Sequence, residues 1–289
     1  MAVSALASRA WERQENSHRV NWWSSPTCRA YYNQAVCGEP VSGPSEGCRV
    51  VLRRALNGRK LDRAVSVGCG VGMKEIAILE DGLAQSFDLW EISNTVADEG
   101  RRNAAAAGVG DRVTYRVGDV FAETPQGVYE LVHWDHSLHH MSDVHAALAW
   151  SVKVLRPGGF VMINDYVGPN RLQFTRKETD RANAFLARAG IAYRLGHSNI
   201  VTRLRQWYRD PSEAPQSEVI AAAIARHLPG AELAPIGGTM LNMLGGTVVP
   251  FAKDENNPVL KAFVDEDAKF RSEGYSHFAF TLWQKPQLA

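Results

Sequence analysis

Val65-Ser66-Val67-Gly68-Cys69-Gly70-Val71-Gly72-Met73-Lys74-Glu75 is the stretch that decides the fold. Residues 64–67 are a short apolar run of buried-strand type, cut off by three alternating glycines. Residues 73–79 then resume with the apolar spacing of a helix. A strand that turns through glycines straight into a helix is the start of a β-α-β unit. The same alternation continues outward. Strands are expected at residues 86–91, 113–117, 130–134 and 160–164, with helices at 94–107 and 143–155 between them. Pro157-Gly158-Gly159 separates the last helix from the fifth strand. Repeats of this length imply a parallel sheet with right-handed crossovers.

Beyond residue 167 the pattern changes. Residues 168–230 read as largely helical, with helices at 177–189 and 217–227 and breaks at Pro211 and Pro215. A strand at 232–236, a glycine-rich run through Gly237-Gly238 and Gly245-Gly246, a helix near 257–273 and a strand at 276–284 follow. The late strands are expected to pair antiparallel at the edge of the sheet. The fold class is therefore α/β: a doubly wound, mostly parallel, seven-stranded Rossmann-like sheet with an antiparallel C-terminal strand and helical additions. Residues 1–61 are expected to form a helical lid or extension, and residues 62–289 the catalytic domain with its insertion at about 168–230.

Composition bounds the function. The chain has 289 residues, 45% hydrophobic, with a formal net charge of +1. No basic block calls for nucleic acid, and no apolar run approaches a membrane span or a signal peptide, so a cytoplasmic protein with neither partner is expected. Cys28, Cys37, Cys48 and Cys69 include no C-x-x-C pair and are expected as reduced thiols rather than a metal cluster.

Glycines at a strand-to-helix turn let the backbone approach a ligand closely, and the helix beyond offers N–H groups to it. Glu91 ends the second strand, where a carboxylate accepts from a ribose diol. Asp119 follows the third strand, where it accepts from an adenine amino group, with Val120 and Phe121 against the ring. Ligands of such sheets sit over this edge. A nicotinamide dehydrogenase is the rival reading. It requires G-x-G-x-x-G, and here the third glycine arrives early as Gly72, with Met73 in its place.

These residues, together with Gly118-Asp119, Ser137-Leu138-His139-His140-Met141 and Leu155-Arg156-Pro157-Gly158-Gly159, resemble class I methyltransferases over about residues 62–167. The resemblance implies S-adenosylmethionine as cofactor and S-adenosylhomocysteine as product. It places Gly68, Gly70 and Gly72 along the methionine portion, Glu91 and Ile92 at the ribose, Asp119 and Val120 at the adenine, and Asp135 and His136 at the amino-acid end. The family carries an acidic residue two before the first glycine, where this chain has Ser66. The stretch 164–175, the Asp210-Pro211-Ser212-Glu213-Ala214 turn and Gly237-Gly238-Thr239 resemble bacterial methyltransferases of glycan and secondary-metabolite pathways.

Transfer to a hydroxyl needs a proton acceptor beside the methyl. Five histidines between residues 133 and 145 lie past the fourth strand, where the methyl is expected. His140 is the leading candidate base, His139 the second, and Asp165 a carboxylate able to orient either or bind substrate. No metal is expected, because zinc sites favour cysteines and supporting carboxylates. Trp22, Tyr31, Tyr32 and Tyr166 are candidates to line a small-molecule pocket. The expected function is methylation of a hydroxyl or similar nucleophile on a small molecule of natural-product or glycan biosynthesis. Carbon or nitrogen methylation, or a non-methylating use of the cofactor, are the alternatives, and a homodimer stays open.

Overall fold

The computed structural model describes residues 21–122 and 127–287. Residues 1–20, part of the expected extension, lie outside the described residues. The central strands are β1 (Leu61–Val67), β2 (Ala84–Glu91), β3 (Val113–Val117), β4 (Tyr129–Asp135), β5 (Leu155–Tyr166), β6 (Ala234–Gly237) and β7 (Phe278–Gln284). They form one sheet in the order β3-β2-β1-β4-β5-β7-β6. The first five pair parallel, and β7 runs antiparallel between β5 and β6. The order reverses at β1, so the ends of β1 and β4 open a crevice at their C-terminal edge, where ligands of such sheets bind.

Alternate residues of each strand point to opposite faces, and both faces are covered. Ala64, Leu131, Phe160 and Met162 enter one apolar cluster, while Val65, Val67, Val132, Trp134, Val161 and Ile163 enter another. The second face is closed by α5 (Val144–Val154) and α8 (Ile220–His227) through Leu148 and Ile224. The first takes α3 (Met73–Glu80) and α4 (Asn94–Ala106), and also the N-terminal helices α1 (Pro26–Cys37) and α2 (Glu46–Leu56). Trp22, Tyr32 and Leu52 therefore share a core with the sheet. The insertion contributes α6 (Arg176–Arg188) and α7 (Ile200–Arg209).

Two elements depart from the sequence reading. Pro157-Gly158-Gly159 lie within β5 instead of separating it from the preceding helix. The glycine-rich run is largely a helix, α9 (Thr239–Ala252), packed beside α10 (Pro258–Ser272). Two tertiary contacts explain it. The Asp267 carboxylate of α10 accepts the N–H groups of Gly238, Met240 and Leu241, capping the helix from a distance. Gly245 admits Trp22, whose Cβ would lie 2.7 Å from any added Cβ. All four cysteines are unpaired thiols.

Candidate active site

The glycine turn is held open by its own backbone. Gly68, Gly70 and Gly72 have φ values of 65°, 56° and 71°, the left-handed region that other residues enter at a cost. The N–H groups of Gly68 and Cys69 donate to the Trp90 carbonyl, which ties the turn to the end of β2. A Cβ on Gly70 would meet no atom within 4 Å, so the loop borders open space there. A Cβ on Gly72 would strike the Tyr115 hydroxyl at 2.1 Å.

Glu91 lies at the rim of that space. Its carboxylate accepts the N–H groups of Gly70 (3.1 Å), Ile92 (2.8 Å) and Ser93 (3.0 Å). Burial raises its pKa, and these three bonds work against that rise. Asp119 is exposed at the end of β3 and accepts from the Phe121 N–H at 3.0 Å. Val120 is buried beside it, while Ile92 and Phe121 are each 37% exposed. The Phe121 ring packs edge-on against Trp150, with centroids 5.9 Å apart.

The Ser66 position is explained from β1 upward. The Ser66 hydroxyl donates to the Glu75 carboxylate of α3 at 2.7 Å, and that carboxylate also bonds His133 Nδ1 at 2.8 Å. Burial opposes the charge on Glu75, but His133 and Ser66 outweigh it and lower its pKa. An acidic group thus reaches the base of the glycine turn from the helix instead of the strand. Lys74, the neighbouring residue, pairs with Asp135 at 2.5 Å. Asp135 Oδ2, 3.9 Å from His133 Nε2, and the Ser137 hydroxyl are buried without a hydrogen-bond partner. Polar atoms in that state need a ligand or water. They sit between the glycine turn and the histidine stretch, and an added Cβ on Gly68 would lie 3.8 Å from the Ser137 hydroxyl.

His136 follows with a φ of 55°, unusual for a side chain of its size. Its ring meets Tyr32, Trp23 and Phe278 at centroid distances of 6.4, 6.2 and 5.2 Å. Burial first, and then Lys74, push its pKa down to about 4, so the ring is neutral at pH 7. Trp22 is buried against Tyr32, with ring centroids 4.9 Å apart. Tyr31 donates to Asp267, Tyr32 to Asn164 and Tyr166 to the Pro169 carbonyl. All three hydroxyls are thus engaged, and the Tyr32 and Tyr166 rings are buried.

Asp165 organises the next turn. Its carboxylate is fully buried and accepts the N–H groups of Ser137 and Leu138 at 2.9 and 2.7 Å. It also accepts from His139 Nδ1 at 2.5 Å, which fixes the tautomer and leaves the basic lone pair on Nε2. Nε2 lies 3.8 Å from Glu213. Burial disfavours charge on His139, but Asp165 and then Glu213 overcome it and raise its pKa above the ordinary 6.5. His140 differs: its Nδ1 donates to the Ser212 carbonyl at 3.1 Å, and burial and the neighbouring His139 lower its pKa. The rings of His139 and His140 stand 4.0 Å apart.

The sequence marks the Asp210–Ala214 turn by resemblance but does not point to Glu213, which only the fold sets beside His139. Asp210 accepts the Ser212 N–H and hydroxyl. Arg171 donates through Nη1 to the carbonyls of Pro211 and Glu213, and its N–H donates to the Ala214 carbonyl. Arg171, Leu172 and Ala214 all have positive φ, and that concentration of strain marks a segment held in place by its surroundings. Among the described residues, His139, His140 and Glu213 form the one group whose donor atoms, all within 4.8 Å of one another, could hold a metal ion.

A family model described as a methyltransferase domain matches residues 43–218. A 27-O-demethylrifamycin SV methyltransferase from Amycolatopsis mediterranei (strain S699) is 30% identical over 109 residues, covering 37% of this chain and 39% of that protein. A probable chloroplastic tocopherol O-methyltransferase from Oryza sativa subsp. japonica is 30% identical over 106 residues, 36% of this chain and 29% of that protein. The chain therefore spans well under half the length of these curated relatives. The crystal structure of geranyl diphosphate C-methyltransferase from Streptomyces coelicolor A3(2), in complex with Mg2+, geranyl diphosphate and S-adenosyl-L-homocysteine, superposes with a TM-score of 0.54. It is 16% identical, with 100% of this chain and 98% of that chain covered, which is a likeness of fold.

Proposed function

This chain belongs to the methyltransferase-domain family, and from that premise we propose that it methylates a hydroxyl group of a small natural-product-type molecule. S-adenosylmethionine is the cofactor, and when bound it supplies a methyl group already activated by its sulfonium. We assign its binding to the glycine turn, with Glu91 at the ribose and Asp119, Val120 and Ile92 around the adenine. Asp135, Ser137 and His136 would receive its amino-acid portion. Asp135 Oδ2 and the Ser137 hydroxyl, both buried without a hydrogen-bond partner, are the fit on which that last assignment rests.

The observation that carries the hydroxyl reading is the 2.5 Å bond between His139 Nδ1 and Asp165. A buried carboxylate holding one imidazole nitrogen leaves the other as a directed base. His139 thus takes the place that the sequence reading gave first to His140, whose ring leans instead on the Ser212 carbonyl. His139 Nε2 would accept the proton of the acceptor hydroxyl as that oxygen gains the methyl group, with the methyl–sulfur bond breaking to leave S-adenosylhomocysteine. Asp165 stabilises the imidazolium formed. The oxygen acceptors in the names of the rifamycin and tocopherol relatives support the same reading.

The test begins with calorimetric titration of S-adenosylmethionine and S-adenosylhomocysteine, with NAD and NADP as controls. Sulfur-ligand binding that weakens at least tenfold in Glu91→Ala is expected. Screening hydroxylated, amine and carbon acceptors then follows, with S-adenosylhomocysteine measured against methylated product. Product methylated only at nitrogen or carbon would overturn the hydroxyl reading. Sulfur ligands that bind equally well to Glu91→Ala would remove the ribose assignment.

A further inference from the structure

Helix α7 buries none of its side chains. Ile200, Val201, Leu204, Trp207 and Tyr208 are 54–83% exposed. At 3.6 residues per turn these five fall within a stripe of about 120°. Arg203 and Arg205 border the stripe on its two sides, and Arg209, Thr202 and Gln206 occupy the opposite face. The helix is well capped, since the Asn199 side chain accepts the N–H groups of Val201 and Thr202. Its shape is therefore set locally, and its apolar face faces water.

Charge supplies the second observation. Between Asp180 and Asp210 there is no acidic residue, while Arg181, Arg188, Arg194, Arg203, Arg205 and Arg209 fall in that interval, in a chain of net charge +1. Arg181 and Arg188 are neutralised by Glu266 on α10. The remaining four lie on or just before α7. An apolar stripe with tryptophan and tyrosine, edged by arginine on both sides, is complementary to a bilayer with acidic headgroups. A second copy of the same face would bring its arginine rims together and repel.

We propose that α7 is an interfacial helix that seats the enzyme on an anionic phospholipid surface. The sequence expectation of no membrane partner rested on span length. No helix among the described residues is long and apolar enough to cross a bilayer, but an in-plane helix needs no such length. The segment that follows α7 carries Ser212 and Glu213 to His140 and His139, so the docked face adjoins the catalytic turn. Resting on the hydroxyl reading above, this placement selects an amphiphilic acceptor, with its hydroxyl at the headgroup level and an apolar body in the lipid.

The test is co-flotation of the full chain with vesicles of phosphatidylcholine, alone or mixed with phosphatidylglycerol. Binding to the mixed vesicles that weakens as salt is raised is expected. Leu204→Glu combined with Trp207→Glu should lower it about tenfold or more, and Arg203→Glu with Arg205→Glu should abolish the preference for acidic lipid. Each variant is titrated with S-adenosylhomocysteine to show that it remains folded. Absence of vesicle binding in a chain that still binds S-adenosylhomocysteine would overturn the membrane inference alone. Self-association lost in Leu204→Glu/Trp207→Glu, without vesicle binding, would assign the face to a second copy and also overturn it. Vesicle binding without affinity for S-adenosylhomocysteine would leave the inference standing and bring down the cofactor assignment.

Discussion

His139, the proposed base, is acted on by Asp165 and Glu213 in different ways. Asp165 makes a short bond to Nδ1 and also holds three backbone N–H groups of the same turn, so its removal disturbs geometry and charge together. Glu213 stands 3.8 Å from Nε2, without a hydrogen bond, and acts mainly through charge. A base must be neutral to accept a proton. Because the folded pKa of His139 is raised, its charged form persists above the ordinary 6.5, and the rate is expected to fall as pH drops through that raised value. Glu213→Gln removes one of the raising charges, so the acidic limb of the kcat/KM profile should move to lower pH. His139→Gln should cost about 10²-fold or more in kcat and remove the limb. A profile unmoved in Glu213→Gln would mean that the limb belongs to another group.

At the scale of elements, packing between α4, β3 and the glycine turn runs through one phenol. Tyr115 on β3 is buried, and its hydroxyl fits between Gly72 and Gly100, neither of which has a Cβ to obstruct it. In an exposed helix, glycine to alanine is worth about 1 kcal/mol of stability. At Gly100 the new Cβ would lie 2.1 Å from the Tyr115 hydroxyl and 2.3 Å from Cζ. Gly100→Ala is therefore expected to destabilise by about 1–3 kcal/mol in urea unfolding. In a Tyr115→Leu background the penalty should largely vanish, and the double-mutant cycle would report the coupling. A penalty that persists there would place its origin elsewhere in α4.

At the scale of the molecule, the charged group beneath the glycine turn joins three elements. Lys74 and Glu75 come from α3, Ser66 from β1, and His133 and Asp135 from β4. The Asp135 side chain is 1% exposed and its partner Lys74 is 31% exposed. Burial would raise the Asp135 pKa, but Lys74 and the neighbouring histidines hold it well below the carboxylate range. Lys74→Met leaves that carboxylate buried without its cation, and a loss of about 3 kcal/mol in unfolding free energy is expected. For a depressed carboxylate the stabilisation is present above the unfolded pKa and lost as pH falls through the folded one, so the wild-type advantage should shrink on acidification. Equal stabilities at pH 7 would show that solvent already screens the pair.

Much of this was legible in the residues themselves. Local patterning determined the strand–helix alternation, because buried strands and amphipathic helices impose their periods on the chain. The glycines before α3 and the carboxylate ending β2 mark the proposed cofactor edge, since both requirements, backbone conformation and strand-end position, are local. Tertiary structure decided the rest. Residues 239–252 form a helix because Asp267 caps it and Trp22 occupies the space at Gly245, two contacts that sequence spacing cannot reveal. The same holds for Glu75 reaching Ser66, and for Glu213 reaching His139 across 74 residues of chain. Adjacent histidines 139 and 140 are alike as letters. Only the fold gives one of them a buried carboxylate and the other a backbone carbonyl, and the proposal that His139 is the base rests on that difference.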